Sequence, residues 1–322
     1  MKDAQPKAIY LKDYQAPPFL IETTALYFDL HDDHTEVRST LEMRRNSDFN
    51  SENAAPLVLD GQALDLISVA IDGVTLSAEA YQVDNESLSI QNVPDAFTLT
   101  VITHIKPHEN TALEGLYRSS KMYCTQCEAE GFRRITYYLD RPDVMSVFET
   151  TIEADQARYP VLLSNGNLSA SEVLSNGRHK AVWQDPHKKP CYLFALVAGD
   201  LQHIEDTFTT MGGTDVTLRI FVEPQNIDKC DYAMDSLKRS MKWDEDVYGR
   251  EYDLNIFNIV AVDDFNMGAM ENKSLNIFNS SCVLANPKRQ PIPHISVSKP
   301  WWPTNIFTTG RVTVLPVAIG FS

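Results

Sequence analysis

No segment of the sequence approaches the roughly 18 consecutive apolar residues that a membrane-spanning helix requires. The first six residues contain no apolar stretch of the kind found in secretory signals, so no such signal is predicted. Cysteine is scarce, and an odd number of irregularly spaced cysteines is typical of free thiols in a reducing compartment. These absences together favour a cytoplasmic protein. The five cysteines are Cys124, Cys127, Cys191, Cys230 and Cys282.

Basic residues are outnumbered, with 28 Lys and Arg against 44 Asp and Glu, and the net charge is −16. An acidic surface repels both nucleic-acid backbones and anionic membranes, so we expect neither as a partner. With 322 residues, of which 43% are hydrophobic, the chain is long enough for two domains and a substantial buried core.

Short segments with alternating apolar and polar residues dominate the sequence up to about residue 200. Leu26, Phe28 and Leu30 lie on one face of a predicted strand, and residues 97–101 repeat the same period. Many short strands joined by polar turns predict a mainly β, sandwich-like N-terminal domain over residues 1–200.

The pattern changes after residue 200, where predicted strands alternate with a helix. Residues 216–222 and 256–262 are predicted strands, and residues 231–248 between them are a predicted helix that ends at Gly249. Strand, helix and strand in this order are typical of the opening of a mixed α/β domain, which we place at residues 201–288. The apolar stripe of the predicted helix consists of Met234, Leu237, Met241 and Tyr248.

Residues 289–322 differ from the rest of the chain in composition. They contain no Asp or Glu and carry a charge of +3, which leaves −19 on residues 1–288. They also contain two of the four tryptophans and five of the seventeen prolines, without a regular period. This segment therefore does not resemble a continuation of the domain before it.

The most distinctive string is NMGAMENK at residues 266–273. Together with residues 125–133 and 183–199, it resembles the zinc aminopeptidases of the bacterial aminopeptidase N (alanyl aminopeptidase) family. The resemblance extends over nearly all of residues 8–288. It implies a metalloprotease that removes N-terminal amino acids from peptides, and it implies that residues 201–288 are the truncated start of a thermolysin-like α/β catalytic domain carrying the GAMEN motif.

Such an enzyme must hold the free α-ammonium group of its substrate at a fixed distance from the scissile carbonyl group. Carboxylates do this through charge-assisted hydrogen bonds, which are stronger than neutral ones and set direction. The resemblance assigns this role to Glu271 in the GAMEN motif and to Glu128, opposed across a cleft between the two domains. The expected partners are therefore peptides with a free N-terminus.

The other site residues that the resemblance implies surround these two carboxylates. Gly268 and Ala269 are small enough for a peptide backbone to approach and pair as an added strand. Met267 is flexible and suits a pocket for the first side chain of the peptide, and Gln126 would line the same pocket. Met270 belongs to the motif, but its spacing also suits a core position. The full substrate-binding set is Gln126, Glu128, Met267, Gly268, Ala269, Met270, Glu271 and Asn272.

The family resemblance also implies how an intact member holds zinc. The metal is bound by an H-E-x-x-H helix and a later glutamate, and the glutamate of the motif is the general base. No H-E-x-x-H string occurs in residues 1–322. Only His104 and His108 are four residues apart, and Pro107 between them prevents a helix. We therefore expect this chain to contain no metal ligand and no catalytic residue, to bind no zinc and to be inactive alone.

The genetic code offers an explanation for residues 289–322. Residues 303–310 can be written with codons that, read one base earlier, encode AHEYFHNW. This string contains H-E-x-x-H at the distance from residue 288 that the family resemblance implies. We therefore interpret residues 289–322 as an out-of-frame tail, the alternative being a genuine divergent tail.

Two other interpretations of function stay open. The chain could derive from a relative with another activity on the same scaffold, such as epoxide hydrolysis. It could also be a non-catalytic peptide-binding or interaction module formed by residues 1–200.

Overall fold

The computed structural model describes residues 10–49 and 55–285. Fifteen strands precede residue 200 in this part of the chain. They are β1 (Phe19–Leu30), β2 (Thr35–Arg45), β3 (Leu57–Asp60), β4 (Asp65–Ile71), β5 (Val74–Thr75), β6 (Tyr81–Val83), β7 (Ser87–Ile90), β8 (Ala96–Ile105), β9 (Gly115–Ser119), β10 (Met122–Gln126), β11 (Met145–Asp155), β12 (Val161–Ser164), β13 (Asn167–Val173), β14 (Arg178–Pro190) and β15 (Leu196–Gly199). The 3₁₀ helices of the described residues are Leu11–Asp13, Ala78–Ala80, Phe132–Arg134, Cys191–Leu193 and Pro224–Lys229.

These fifteen strands form three sheets. The largest has the order β13-β14-β11-β1-β2-β8-β4-β5, and the smaller two have the orders β12-β15-β10-β9 and β3-β7-β6. In the largest sheet, neighbouring strands are antiparallel except β1 and β11, which run parallel. Hairpins between consecutive strands, such as β1-β2 and β13-β14, are thus combined with pairs of strands distant in the chain, such as β1-β11 and β2-β8.

One core joins the three sheets. Along β1, Leu26, Phe28 and Leu30 are at most 2% exposed and the residues between them are partly exposed, as a period of two predicts. Leu59 of β3 and Val197 of β15 belong to the same hydrophobic cluster. The eight-stranded sheet therefore buries one face together with the two smaller sheets, and the predicted mainly β fold is confirmed.

The remaining described residues form a five-stranded sheet with two helices. The strands are β16 (Gln202–Thr209), β17 (Asp215–Val222), β18 (Ile256–Val262), β19 (Ala269–Met270) and β20 (Leu275–Asn279), and the helices are α1 (Asp231–Tyr248) and α2 (Ser280–Val283). The order is β16-β17-β18-β20-β19, in which β17, β18 and β20 are parallel and the edge strands β16 and β19 are antiparallel to their neighbours. The predicted strand–helix–strand opening of an α/β domain is confirmed.

The two faces of the five-stranded sheet contact different partners. Ile259 of β18 packs in one cluster with Leu237 of α1. Val260 and Val262 belong instead to the core of the N-terminal sheets. Because successive side chains point to opposite faces of a strand, β18 is buried on both sides, which explains why all its residues but Asn258 are apolar. The sheet therefore lies between α1 and the N-terminal core, which fixes its position relative to the N-terminal strands.

Helix α1 ends where the sequence predicts. Gly249 has a φ of +58°, and its N–H donates to the Glu245 carbonyl oxygen at 2.9 Å. The prediction for Tyr248 was wrong, because this side chain is 45% exposed and lies edge-on against Trp243. Val247 is exposed as well, so the last turn extends beyond the surface that buries the preceding turns.

Residues 289–322, interpreted above as an out-of-frame tail, lie outside the described residues. No helix within residues 10–49 and 55–285 is long and apolar enough to cross a bilayer. All five cysteines are unpaired, and only Cys282 is partly exposed.

Candidate substrate-binding site

The GAMEN motif forms the outermost strand of the five-stranded sheet. Ala269 in β19 pairs with Phe278 in β20, and the Asn279 N–H donates a 3.0 Å hydrogen bond to the Gly268 carbonyl oxygen. The sheet order ends at β19, so the other side of this strand has no strand neighbour among the described residues. Such an edge presents backbone N–H and C=O groups with which another extended chain can pair.

The side chains of the motif point in different directions. Met270 is fully buried in the core shared with the N-terminal sheets, so its side chain offers no surface to a ligand. Asn272 is 1% exposed and its Oδ1 atom has no hydrogen-bond partner within residues 10–49 and 55–285. Met267 is 48% exposed and Gly268 is partly exposed. The accessible part of the motif is therefore the stretch before β19 and the residue directly after it.

Glu271 follows β19, and Glu128 lies in the turn after β10. Glu271 is partly buried and Glu128 is exposed. Burial raises the pKa of Glu271 most, a backbone hydrogen bond opposes this rise, and the negative charge of Glu128 adds a smaller upward shift. The charge of Glu128 thus acts on Glu271 although the two residues are 143 positions apart in the chain. The peptide bond between Glu128 and Ala129 is cis.

Tyr192 is a third member of the cluster that the sequence did not indicate. It is partly buried on the 3₁₀ helix Cys191–Leu193. Burial raises the pKa of its hydroxyl, and the next causes are the charges of Glu271 and Glu128. Its local sequence carries no signal for such a position, because the turn meets the two carboxylates only through tertiary folding.

Gln126 ends β10 two residues before Glu128. Its side chain is 5% exposed, and Nε2 donates to the Glu128 carbonyl oxygen at 3.3 Å. Its Oε1 atom has no partner in the described part of the chain. A buried acceptor without a partner costs free energy unless a ligand or water satisfies it. The amide is therefore available to a donor that enters beside Glu128.

The described residues do not fit a zinc ion. Within residues 10–49 and 55–285, no group of three or more His, Cys, Asp or Glu side chains is arranged to hold a metal. Glu128 and Glu271 offer only carboxylate oxygens, which suit an ammonium ion, whereas zinc sites usually combine carboxylates with histidine or cysteine.

An open cavity of about 830 Å³ lies elsewhere, between residues 61–65 and 104–112. It includes none of the predicted site residues. Its cations are paired with nearby carboxylates: Lys106 with Glu109 at 3.8 Å, and Arg134 with Glu114 at 3.1 Å. The Lys and Arg side chains that line the cavity are therefore already paired with carboxylates.

Comparison with known proteins agrees with this fold. Residues 25–193 match the Peptidase M1 N-terminal domain, and residues 232–297 match the Peptidase family M1 domain. The chain belongs to peptidase family M1, and the resemblance inferred from the sequence is confirmed.

Several relatives are similar over most of this chain. Aminopeptidase N of Caulobacter vibrioides is 57% identical over 288 residues, which are 89% of this chain and 33% of the relative. Aminopeptidase N of Escherichia coli is 54% identical over 281 residues, or 87% of this chain and 32% of the relative. A crystal structure of Legionella pneumophila aminopeptidase A in complex with aspartic acid has a TM-score of 0.87 and 34% identity, covering 92% of this chain and 35% of that one. The chain thus spans about a third of the length of these proteins.

Proposed function

We propose that this chain is the substrate-recognising N-terminal part of a zinc aminopeptidase that removes N-terminal amino acids from peptides. In this proposal Glu128 and Glu271 bind the free α-ammonium group, and the outer edge of β19 pairs with the peptide backbone. Gln126 and Met267 line the space for the first side chain. Gly268 and Ala269 let the peptide backbone approach, Asn272 holds the end of the motif, and Met270 anchors it in the core.

One observation carries this proposal. The outer edge of β19 has no strand neighbour among the described residues, and Glu271, which the charge of Glu128 reaches, directly follows that strand. Like charges at short distance destabilise a fold, and a cation that binds between them removes that repulsion. An ammonium group is such a cation, and the neighbouring edge strand suits a peptide that carries it.

Zinc and its ligands belong to the intact family member in this proposal. When bound, zinc polarises a carbonyl group and activates water. No hydrolytic step is assigned to the described residues, because they do not fit the metal. We propose a domain boundary near residue 200, which is supported by the five-stranded sheet starting at Gln202. We propose further that residues 289–322 are an out-of-frame tail.

A non-catalytic peptide-binding module is the second candidate. In the form predicted above it consists of residues 1–200 alone, and it would retain Glu128 without Glu271. The mutual placement of the two carboxylates favours a module that includes the five-stranded sheet. Binding by a fragment of residues 1–200 that equals binding by the whole chain would favour this candidate instead.

The test is a calorimetric titration of the chain with L-alanyl-L-alanine amide and with its N-acetyl derivative. The two peptides differ in the terminal charge that Glu128 and Glu271 are proposed to bind. We expect measurable binding of the free peptide and at least roughly tenfold weaker binding of the acetylated peptide, since a charged hydrogen bond contributes about 1.5–3 kcal/mol. Equal affinities would contradict the proposal.

A further inference from the structure

Asn165 lies at the point where the elements carrying the proposed site meet. It is 2% exposed in the turn between β12 and β13. Its Nδ2 atom donates to the Leu193 carbonyl oxygen at 3.0 Å and to the Lys273 carbonyl oxygen at 2.7 Å. Its Oδ1 atom accepts from the Ala195 N–H at 2.8 Å. One side chain thus uses both amide hydrogens and its oxygen on three separate backbone positions.

Two of these backbone positions lie next to residues of the candidate site in the chain, and the third connects to it through a strand pair. Leu193 follows Tyr192, and Lys273 is two residues after Glu271. Ala195 precedes β15, which pairs with β10, the strand that leads to Glu128. The Asn165 amide therefore connects the N-terminal carboxylate, the tyrosine turn and the carboxylate of the GAMEN motif.

The next residue strengthens the same connection. The Gly166 N–H donates to the Ser274 Oγ atom at 2.6 Å. Gly166 has a φ of +89°, and a Cβ atom there would lie 2.0 Å from the Gln184 carbonyl oxygen, so only glycine fits this turn. The backbone of this turn is consequently fixed, and it presents Asn165 and Gly166 together to residues 273 and 274.

We propose that Asn165 is a positioning residue that sets the spacing between Glu128 and Glu271 and thereby the selectivity for a free α-amino group. The inference rests on the proposed function for the ligand, but the spacing itself is a property of the free chain. Asn165 touches no substrate and acts only through Leu193, Ala195 and Lys273.

The test combines three variants with two readouts. Asn165→Ala removes the connection, and Ser274→Ala weakens it from the other side by removing the acceptor for Gly166. Ser169→Ala is the matched control, because the Ser169 Oγ donates to the Val182 carbonyl oxygen at 3.0 Å and is not bonded to Leu193, Ala195 or residues 273–274. The readouts are the pKa of Glu271 from carboxyl ¹³C NMR, assigned with Glu271→Gln, and the affinity ratio of free to acetylated L-alanyl-L-alanine amide.

We expect Asn165→Ala to lower the pKa of Glu271 toward its ordinary value of about 4.5, because a released segment moves the carboxylate into water and away from Glu128. The affinity ratio should fall about tenfold, since a site misplaced by about 1 Å loses much of its binding selectivity. Ser274→Ala should change both readouts in the same direction. Ser169→Ala should change neither readout.

The outcomes separate this inference from the function on which it rests. If the pKa of Glu271 is the same in Asn165→Ala, Ser274→Ala and the parent chain, Asn165 has no positioning role. If Asn165→Ala does not fold, Ser274→Ala decides the question with the same two readouts. If the parent chain binds both peptides equally, the proposed function fails, while the pKa comparison still decides whether Asn165 sets the spacing.

Discussion

Replacing Glu271 with glutamine changes the charge of the proposed site while keeping the shape of the side chain. Glu271 is partly buried, and its charged hydrogen bond to an ammonium group would be shielded from water on one side. A hydrogen bond to a charged group contributes about 1.5–3 kcal/mol. We therefore expect Glu271→Gln to weaken binding of L-alanyl-L-alanine amide roughly ten- to a hundredfold.

The same substitution should leave binding of the N-acetylated peptide nearly unchanged, because that peptide has no ammonium group. Glu130→Gln is the charge-matched control. Glu130 is exposed, two residues after Glu128, and pairs with Arg133 at 3.4 Å on the surface. Isothermal titration of the three proteins with both peptides measures the effect. If Glu271→Gln and Glu130→Gln weakened binding equally, the loss would reflect net charge, and the assigned role of Glu271 would be wrong.

Three further predictions concern pH, stability and metal. The pKa of Glu271 is raised above its ordinary value of 4.5, so Glu271 loses its charge at a higher pH than an exposed glutamate does. The preference for a free terminus should therefore begin to decline above pH 4.5. A preference that is unchanged down to pH 4.5 would contradict this expectation. Burial raises the pKa of Asp244 to about 7, and neither oxygen has a hydrogen-bond partner among the described residues. Between about pH 4 and 7, Asp244 keeps its proton in the folded state but has lost it in the unfolded state, so the free energy of unfolding should fall as pH rises through this range. Urea unfolding of Asp244→Asn should show no such decline. Metal analysis should find no stoichiometric zinc in the chain as written, and an alanine amide substrate should not be hydrolysed; one tightly held zinc together with hydrolysis would refute both expectations.

Local sequence patterns were sufficient for the elements that bury a regular face. The predicted strand at residues 256–262 has the same bounds in the structure, because seven consecutive apolar or amide residues suit a strand covered on both sides. Helix α1 was likewise predictable from its stripe and from Gly249. The exposure of Tyr248 was not predictable. The position at which a helix extends beyond the elements that cover it depends on those elements, and not on the spacing of apolar residues in the helix.

The candidate site shows a similar division. The family resemblance identified Glu128 and Glu271, and their role in binding an ammonium group stays a prediction. Tyr192 and Asn165 were missed as site residues, because their relevant neighbours are distant in the chain. The bond from Asn165 to Lys273, for example, spans 108 positions, and the local sequence around Asn165 indicates only a turn. Hydrogen bonds of this kind arise from the packing of two sheets and leave no short-range pattern.

The most direct test of the central claim is the pKa of Glu271 measured by carboxyl ¹³C NMR while L-alanyl-L-alanine amide is added. An ammonium group beside the carboxylate favours its charged form and offsets the repulsion from Glu128. We predict that the pKa of Glu271 falls on saturation with the free peptide and does not change with the N-acetylated peptide. Saturable binding of the free peptide with no change in the pKa of Glu271 would contradict the account, because the ammonium group would then be bound elsewhere.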